Sequence, residues 1–216
     1  MIRISIKGDL ACFTRPEFKV ERMSYDVITP SAARGVIESI MWHPGMRWVV
    51  DQIVVAAPKK FVNIRRNEVS DKAGSNQIKT AINQNRPIFL DAKKAIQQRA
   101  TTALKNVHYI CDYHFELTDK ANESDSEAKF YNMALRRLKK GQCFQQPYLG
   151  CREFPAEVSL FSGEMPDCPD EFVGEKDLGY MFYDFDYSNS DNIQPQFFRA
   201  IANDGIIDLR KAEVKK

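Results

Sequence analysis

The sequence predicts an α+β chain. A βαββαβ core covers residues 1–161, and a small antiparallel β region covers residues 162–216. Three observations predict it. Two stretches, Thr29 to Met41 and Ser124 to Lys140, place apolar residues three and four apart, the mark of a helix with one buried face. Alternating or strand-like runs lie on both sides of each. Near the C-terminus, Asn203-Asp204-Gly205 separates two further strand-like runs, as in a hairpin.

The elements follow in order. Ile2-Arg3-Ile4-Ser5-Ile6 alternates apolar and polar and starts a strand at once, which predicts no leader peptide. Gly8 to Val27 reads as a loop or short hairpin carrying Arg15, Lys19, Arg22 and Tyr25. Thr29 suits an N-cap and Pro30 the first helical position, where no amide donor is needed. Ala33, Val36, Ile37, Ile40 and Met41 then form the buried stripe, and His43-Pro44-Gly45 stops the helix. Trp48 to Val55 is the next strand. Lys59 to Val69 alternates loosely and extends the sheet or forms an arm. Residues 70–98 are poor in apolar side chains and predict a long surface loop with a short helix near 75–83.

Thr101 to Leu117 predicts a long strand. Val107, Tyr109, Cys111, Tyr113 and Phe115 face the core, and His108 and His114 lie on the polar parity. In the helix predicted over 124–140, Glu123, Asp125 and Glu127 lie at the N-terminal end and Arg136, Arg137, Lys139 and Lys140 at the C-terminal end, which complements the helix dipole. Gly141 fits the C-cap. A glycine-bracketed loop, Gly141 to Phe154, carries Phe144 and Tyr148 and leads into a strand near 154–161. This order is the ferredoxin-like, or RNA-recognition-like, arrangement.

Hydrophobic residues make up 44% of the 216, enough for a folded core. No apolar run approaches the ~18 residues of a membrane span, so no membrane partner is expected. Five cysteines without a paired Cys-x-x-Cys predict reduced thiols and a cytoplasmic location rather than disulfides or zinc. Net charge is only +2, yet Lys and Arg cluster in 59–66, 93–105, 129–140 and 210–216, which favours a polyanionic partner. No P-loop or dinucleotide-binding glycine fingerprint is present, and neither a cofactor nor a metal is expected.

Several segments together carry a family resemblance. They are Ala11-Cys12-Phe13-Thr14-Arg15-Pro16-Glu17, Ser24-Tyr25-Asp26-Val27 with Thr29 to Gly35, Ile64-Arg65-Arg66-Asn67-Glu68, Gln98-Arg99-Ala100-Thr101, and Gly141 to Phe144 with Pro147 to Phe154. In this order and spacing they resemble the Cas-five proteins, Dvulg branch, of the subtype I-C CRISPR system. The resemblance implies a metal-independent endoribonuclease that cuts the repeat hairpin of CRISPR precursor RNA. It implies that the product's 5′ handle stays bound within a surveillance complex, with that complex's other subunits as partners and duplex DNA as a further candidate. The alternative is a subunit that grips RNA or duplex without cutting. The family's chemistry uses a tyrosine at the end of the first helix and a Lys-His pair at the start of the second. Here the lysine matches Lys129, the histidine falls on Phe130 and the tyrosine on Met41.

RNA self-cleavage needs a deprotonated 2′-hydroxyl, a stabilised phosphorane and a protonated leaving 5′-oxygen. Lys129 is the candidate for the phosphorane. His43, two residues past Met41, is the candidate for proton transfer, and Tyr131 completes the catalytic set. Arg34, Arg65, Arg66, Arg136 and Lys139 are the candidate phosphate contacts. Phe144 and Tyr148 are candidates for stacking on bases.

Overall fold

The protein is described by a computed structural model over residues 1–18, 20–189 and 191–216. Lys19 lies outside the described residues. The fold is mixed α/β, with one large, mainly antiparallel sheet and few helices. The strands are β1 (Ile2–Ala11), β2 (Arg22–Met23), β3 (Met46–Val55), β4 (Phe61–Val69), β5 (Ile96–Leu117), β6 (Glu157–Leu160), β7 (Glu175–Asp186), β8 (Gln194–Asn203), β9 (Ile206–Asp208) and β10 (Val214–Lys215). The helices are α1 (Pro30–Ile40), α2 (Ser75–Asn83) and α3 (Glu127–Lys139). None of these helices is long and apolar enough to cross a membrane.

β5 is the spine. One edge pairs with β1 over Leu104 to Tyr113, and the other pairs with β3 over Tyr109 to Leu117 and with β4 over Ile96 to Leu104. β6 pairs with the far edge of β1, so the central order is β6-β1-β5-β3. Beyond β1, β4 and the first half of β5 project as a two-stranded arm with α2 between them. After residue 162, β7 and β10 each pair with β8, and β9 pairs with β3, with Ile53 opposite Ile207.

Alternation decides which face is buried. Ile2, Ile4 and Ile6 of β1, Trp48, Val50 and Ile53 of β3, and Val107, Tyr109, Cys111 and Tyr113 of β5 pack with Val36 and Ile37 of α1 and Phe130 and Ala134 of α3. Burying this apolar surface is the main driving force for the core. The opposite face carries polar pairs, Arg3 with Asp112, Ser5 with His108 and His114 with Asp51.

Local chemistry sets the helix ends. Thr29 Oγ1 accepts the Ala32 amide, and Pro30 opens α1 as the sequence predicts. α3 starts at Glu127, later than the residues 124–140 predict. Ser126 is its N-cap, its Oγ accepting the Lys129 amide, while the Asp125 carboxylate accepts the Asn122 amide instead. Gly141 follows α3 at φ +62°, the left-handed conformation a C-terminal glycine supplies.

Candidate nucleic-acid interface

The C-terminal end of α1 and the side of α3 meet in a corner. Met41 leaves the helix in an extended conformation and is buried, and its carbonyl accepts the Trp48 indole N–H at 2.8 Å. The turn that follows brings the His43 ring against Phe130, with ring centroids 5.0 Å apart. Met41 and Phe130, where the resemblance places a tyrosine and a histidine, are therefore both core side chains. His43 lies directly beside the position Phe130 fills.

Lys129 occupies the first turn of α3, its amide held by Ser126 Oγ at 3.2 Å. Its ammonium donates to Asp125 Oδ1 at 2.7 Å. That contact and the Asn122 amide hold the Asp125 carboxyl below its ordinary range. A Cβ on Gly45 would sit 3.1 Å from His43 Nδ1 and 3.2 Å from Asp125 Oδ2, so only a glycine leaves this space open. His43, Asp125 and Lys129 thus form one cluster. The Gly45 amide donates to His43 Nδ1 at 3.1 Å, which puts the proton of a neutral ring on Nε2. His43 then presents a hydrogen-bond donor at Nε2.

Tyr131 is not part of this cluster. Two residues along a helix point to nearly opposite sides, and Tyr131 instead lines a cavity of about 320 Å³ with Met1, His114 and Glu127. Arg136 and Lys139 are exposed on α3, with no ion pair among the described residues. Phe144 is 83% exposed, and its amide ties the loop to the Ser39 carbonyl of α1 at 2.8 Å. Tyr148 is half-buried and bridges to Pro155.

The remaining candidate cations lie elsewhere. Arg34 bonds Glu38 at 3.1 Å and Asp184 of β7 at 2.8 Å, so it ties α1 to the C-terminal strands. Arg65 and Arg66 point to opposite sides of β4. Arg65 is exposed, whereas Arg66 is paired with Glu153 and Glu68.

Sequence reasoning did not single out Arg137, which donates to the Ile40 carbonyl at 2.7 Å and caps α1. It also missed Asp125 as the partner of Lys129, although their four-residue spacing is the signal for such a helix pair. All five cysteines are free.

Comparison with known proteins follows this geometry. A curated relative, the CRISPR pre-crRNA endoribonuclease Cas5d of Mannheimia succiniciproducens, is 44% identical over 214 residues, covering 96% of this chain and 94% of that one. The protein of the same name from Thermus thermophilus is 41% identical over 183 residues, covering 85% and 72%. A crystal structure of a CRISPR-associated protein superposes with a TM-score of 0.70 at 20% identity, covering 100% and 96% of the two chains, which supports the fold. The family model described as CRISPR-associated protein (Cas_Cas5) matches residues 1–210, and the chain belongs to the Cas5d family.

Proposed function

We propose that this protein is an endoribonuclease that cleaves the repeat hairpins of precursor CRISPR RNA, with the α1–α3 corner as its site. One observation carries the reading: in a chain 44% identical to a named pre-crRNA endoribonuclease, His43 packs on Phe130, the neighbour of Lys129, and Asp125, the partner of Lys129, lies across Gly45 from His43. The Lys129 ammonium would stabilise the negative phosphorane, with Asp125 holding it in place until a phosphate oxygen competes for it. His43 Nε2–H would hydrogen-bond the departing 5′-oxygen, which takes a proton from water as water removes the 2′-hydroxyl proton. The product's 5′ handle stays on the protein within a surveillance complex, whose other subunits are the further partners.

The core fold is proposed as ferredoxin-like over residues 1–161, with 162–216 as an appended antiparallel region. The central order β6-β1-β5-β3 with α1 and α3 packed on one face supports it.

A second reading has one observation in its favour: Met41 and Phe130 replace two of the family's three catalytic types and are buried. Under it the protein holds the RNA handle, or a duplex, without cutting. One gel separates the two. Purified protein with its cognate repeat RNA in EDTA should give a 5′ fragment ending in a 2′,3′-cyclic phosphate. No cleavage in EDTA, with cleavage restored by a divalent metal, would overturn the metal-independent mechanism; binding without cleavage under any condition supports the second reading.

A further inference from the structure

We infer that Trp42 is a stacking platform for an unpaired RNA base next to the scissile phosphate, with Phe144 as the second ring of the same surface. The inference rests on the RNA-binding reading above.

Trp42 is 61% exposed, although tryptophan is among the residues proteins bury most completely on average. It stands between buried Met41 and His43, so its position is fixed by the turn that places His43 on Phe130. Phe144 reaches the same helix end, because the Phe144 and Gln145 amides both donate to the Ser39 carbonyl, at 2.8 and 3.0 Å. Two large exposed rings thus flank the last turn of α1.

The electrostatics select the occupant. The last carbonyls of a helix carry partial negative charge and would repel phosphate. Here the Ser39 carbonyl is covered by two amides and the Ile40 carbonyl by the Arg137 guanidinium at 2.7 Å. The neighbouring face of α3 adds Arg136, Lys139 and Lys140, all exposed and without an ion pair among the described residues. Exposed rings beside unmatched cations are the elements of a single-strand nucleic-acid surface, where bases stack and cations take the backbone. An apolar protein partner would leave three desolvated cations without counter-charge. Trp42 is also the chain neighbour of His43, whose ring packs on Phe130 next to Lys129.

Tryptophan emission tests this in the full chain. There are only two tryptophans, and Trp48 is buried at 2% exposure, so the exposed, red-shifted emission belongs to Trp42. Cognate repeat RNA should quench that component. Trp42→Ala should weaken RNA binding about tenfold, and Trp42→Phe should recover most of the loss, because a ring still stacks. Replacing the nucleotide beside the cleavage point with an abasic residue should cost the wild type the same factor and Trp42→Ala almost nothing. Unchanged Trp48 emission confirms that the variants fold. The inference is overturned if RNA binds without quenching, if Trp42→Ala binds as tightly as wild type, or if Trp42 is shielded from acrylamide only by the complex's other subunits. Quenching without cleavage would sink the nuclease reading and leave this one standing; cleavage without quenching would do the reverse.

Discussion

Two groups of basic residues treat their charge in opposite ways. At the base of the arm, Arg22, Arg66 and Arg99 surround Glu68 and Glu153. Arg99 bonds Glu68 at 3.0 Å, Arg22 lies 3.6 Å from Glu68, and Arg66 pairs with Glu153. At the α1–α3 corner, Arg136, Lys139 and Lys140 have no such partners among the described residues, and Trp42 and Phe144 lie open beside them. The first group is half-buried and paired with carboxylates from within, so its charge is already engaged. The second has charge left for a polyanion. Cation count alone does not distinguish the two; the carboxylates beside them do.

Breaking the arm base should have the largest effect. Gly150 adopts φ +81°, and a Cβ there would lie 2.0 Å from the Cys12 carbonyl oxygen, a rigid backbone atom. Gly150→Ala should therefore destabilise the protein by about 3 kcal/mol or more, read as the denaturant midpoint. A variant as stable as wild type would mean that the Cys12–Gly150 approach is looser in solution.

At the corner, the expected loss is in rate rather than in folding. Lys129→Ala and His43→Ala should each lower single-turnover cleavage by about 10²-fold or more at unchanged RNA affinity. Full activity in Lys129→Ala would move the catalytic cation elsewhere.

The next comparison sets the two groups against each other directly. Arg66→Ala removes the cation shared by Glu153 and Glu68 and the packing of its half-buried stem, so it should cost about 1 kcal/mol of stability. Arg136→Ala with Lys139→Ala should change stability by less than about 0.5 kcal/mol, because neither side chain has an ion-pair partner among the described residues. The double variant should instead reduce the salt dependence of RNA binding by about two phosphate contacts. Equal stability losses in the two experiments would erase the distinction between the groups.

Local chemistry in the sequence predicts α1, α2, the hairpin at Asp204-Gly205 and the core parity of β5, because each depends on spacing or a cap within a few residues. The first turn of β5 is different. Ile96 to Ala100 is mostly polar and becomes a strand because β4 supplies its backbone partners. The same limit applies to the site. Lys129 and His43 are recognisable by type and position. Arg34 is committed to Asp184, 150 residues away, and Arg66 to Glu153, 87 away, and no local pattern announces such pairs. A cation's exposure is a tertiary property, so the sequence names the candidate arginines without sorting the free from the occupied.

The smallest expected effect tests whether the arm base is fully balanced. Three guanidiniums face two carboxylates there, which leaves one positive charge over. The Arg22 guanidinium lies 3.4 Å from Cys151 Sγ. The neighbouring Cys12 thiol, followed by the Arg22 contact and charge, pulls the Cys151 thiol down to about 6, and Cys12 is held well above its ordinary value. A Cys151 thiolate would supply the third anion. The unfolded chain has a cysteine pKa of about 8.5, so the folded form releases its proton first. Its contribution is complete above about pH 8.5 and is lost as the pH falls toward 6. The stability difference between wild type and Cys151→Ser should therefore widen from pH 6 to pH 8.5, measured as thermal midpoints at fixed salt. A difference that stays flat across that window would mean that Cys151 remains a neutral thiol and that the arm base keeps one unmatched cation, like those at the corner.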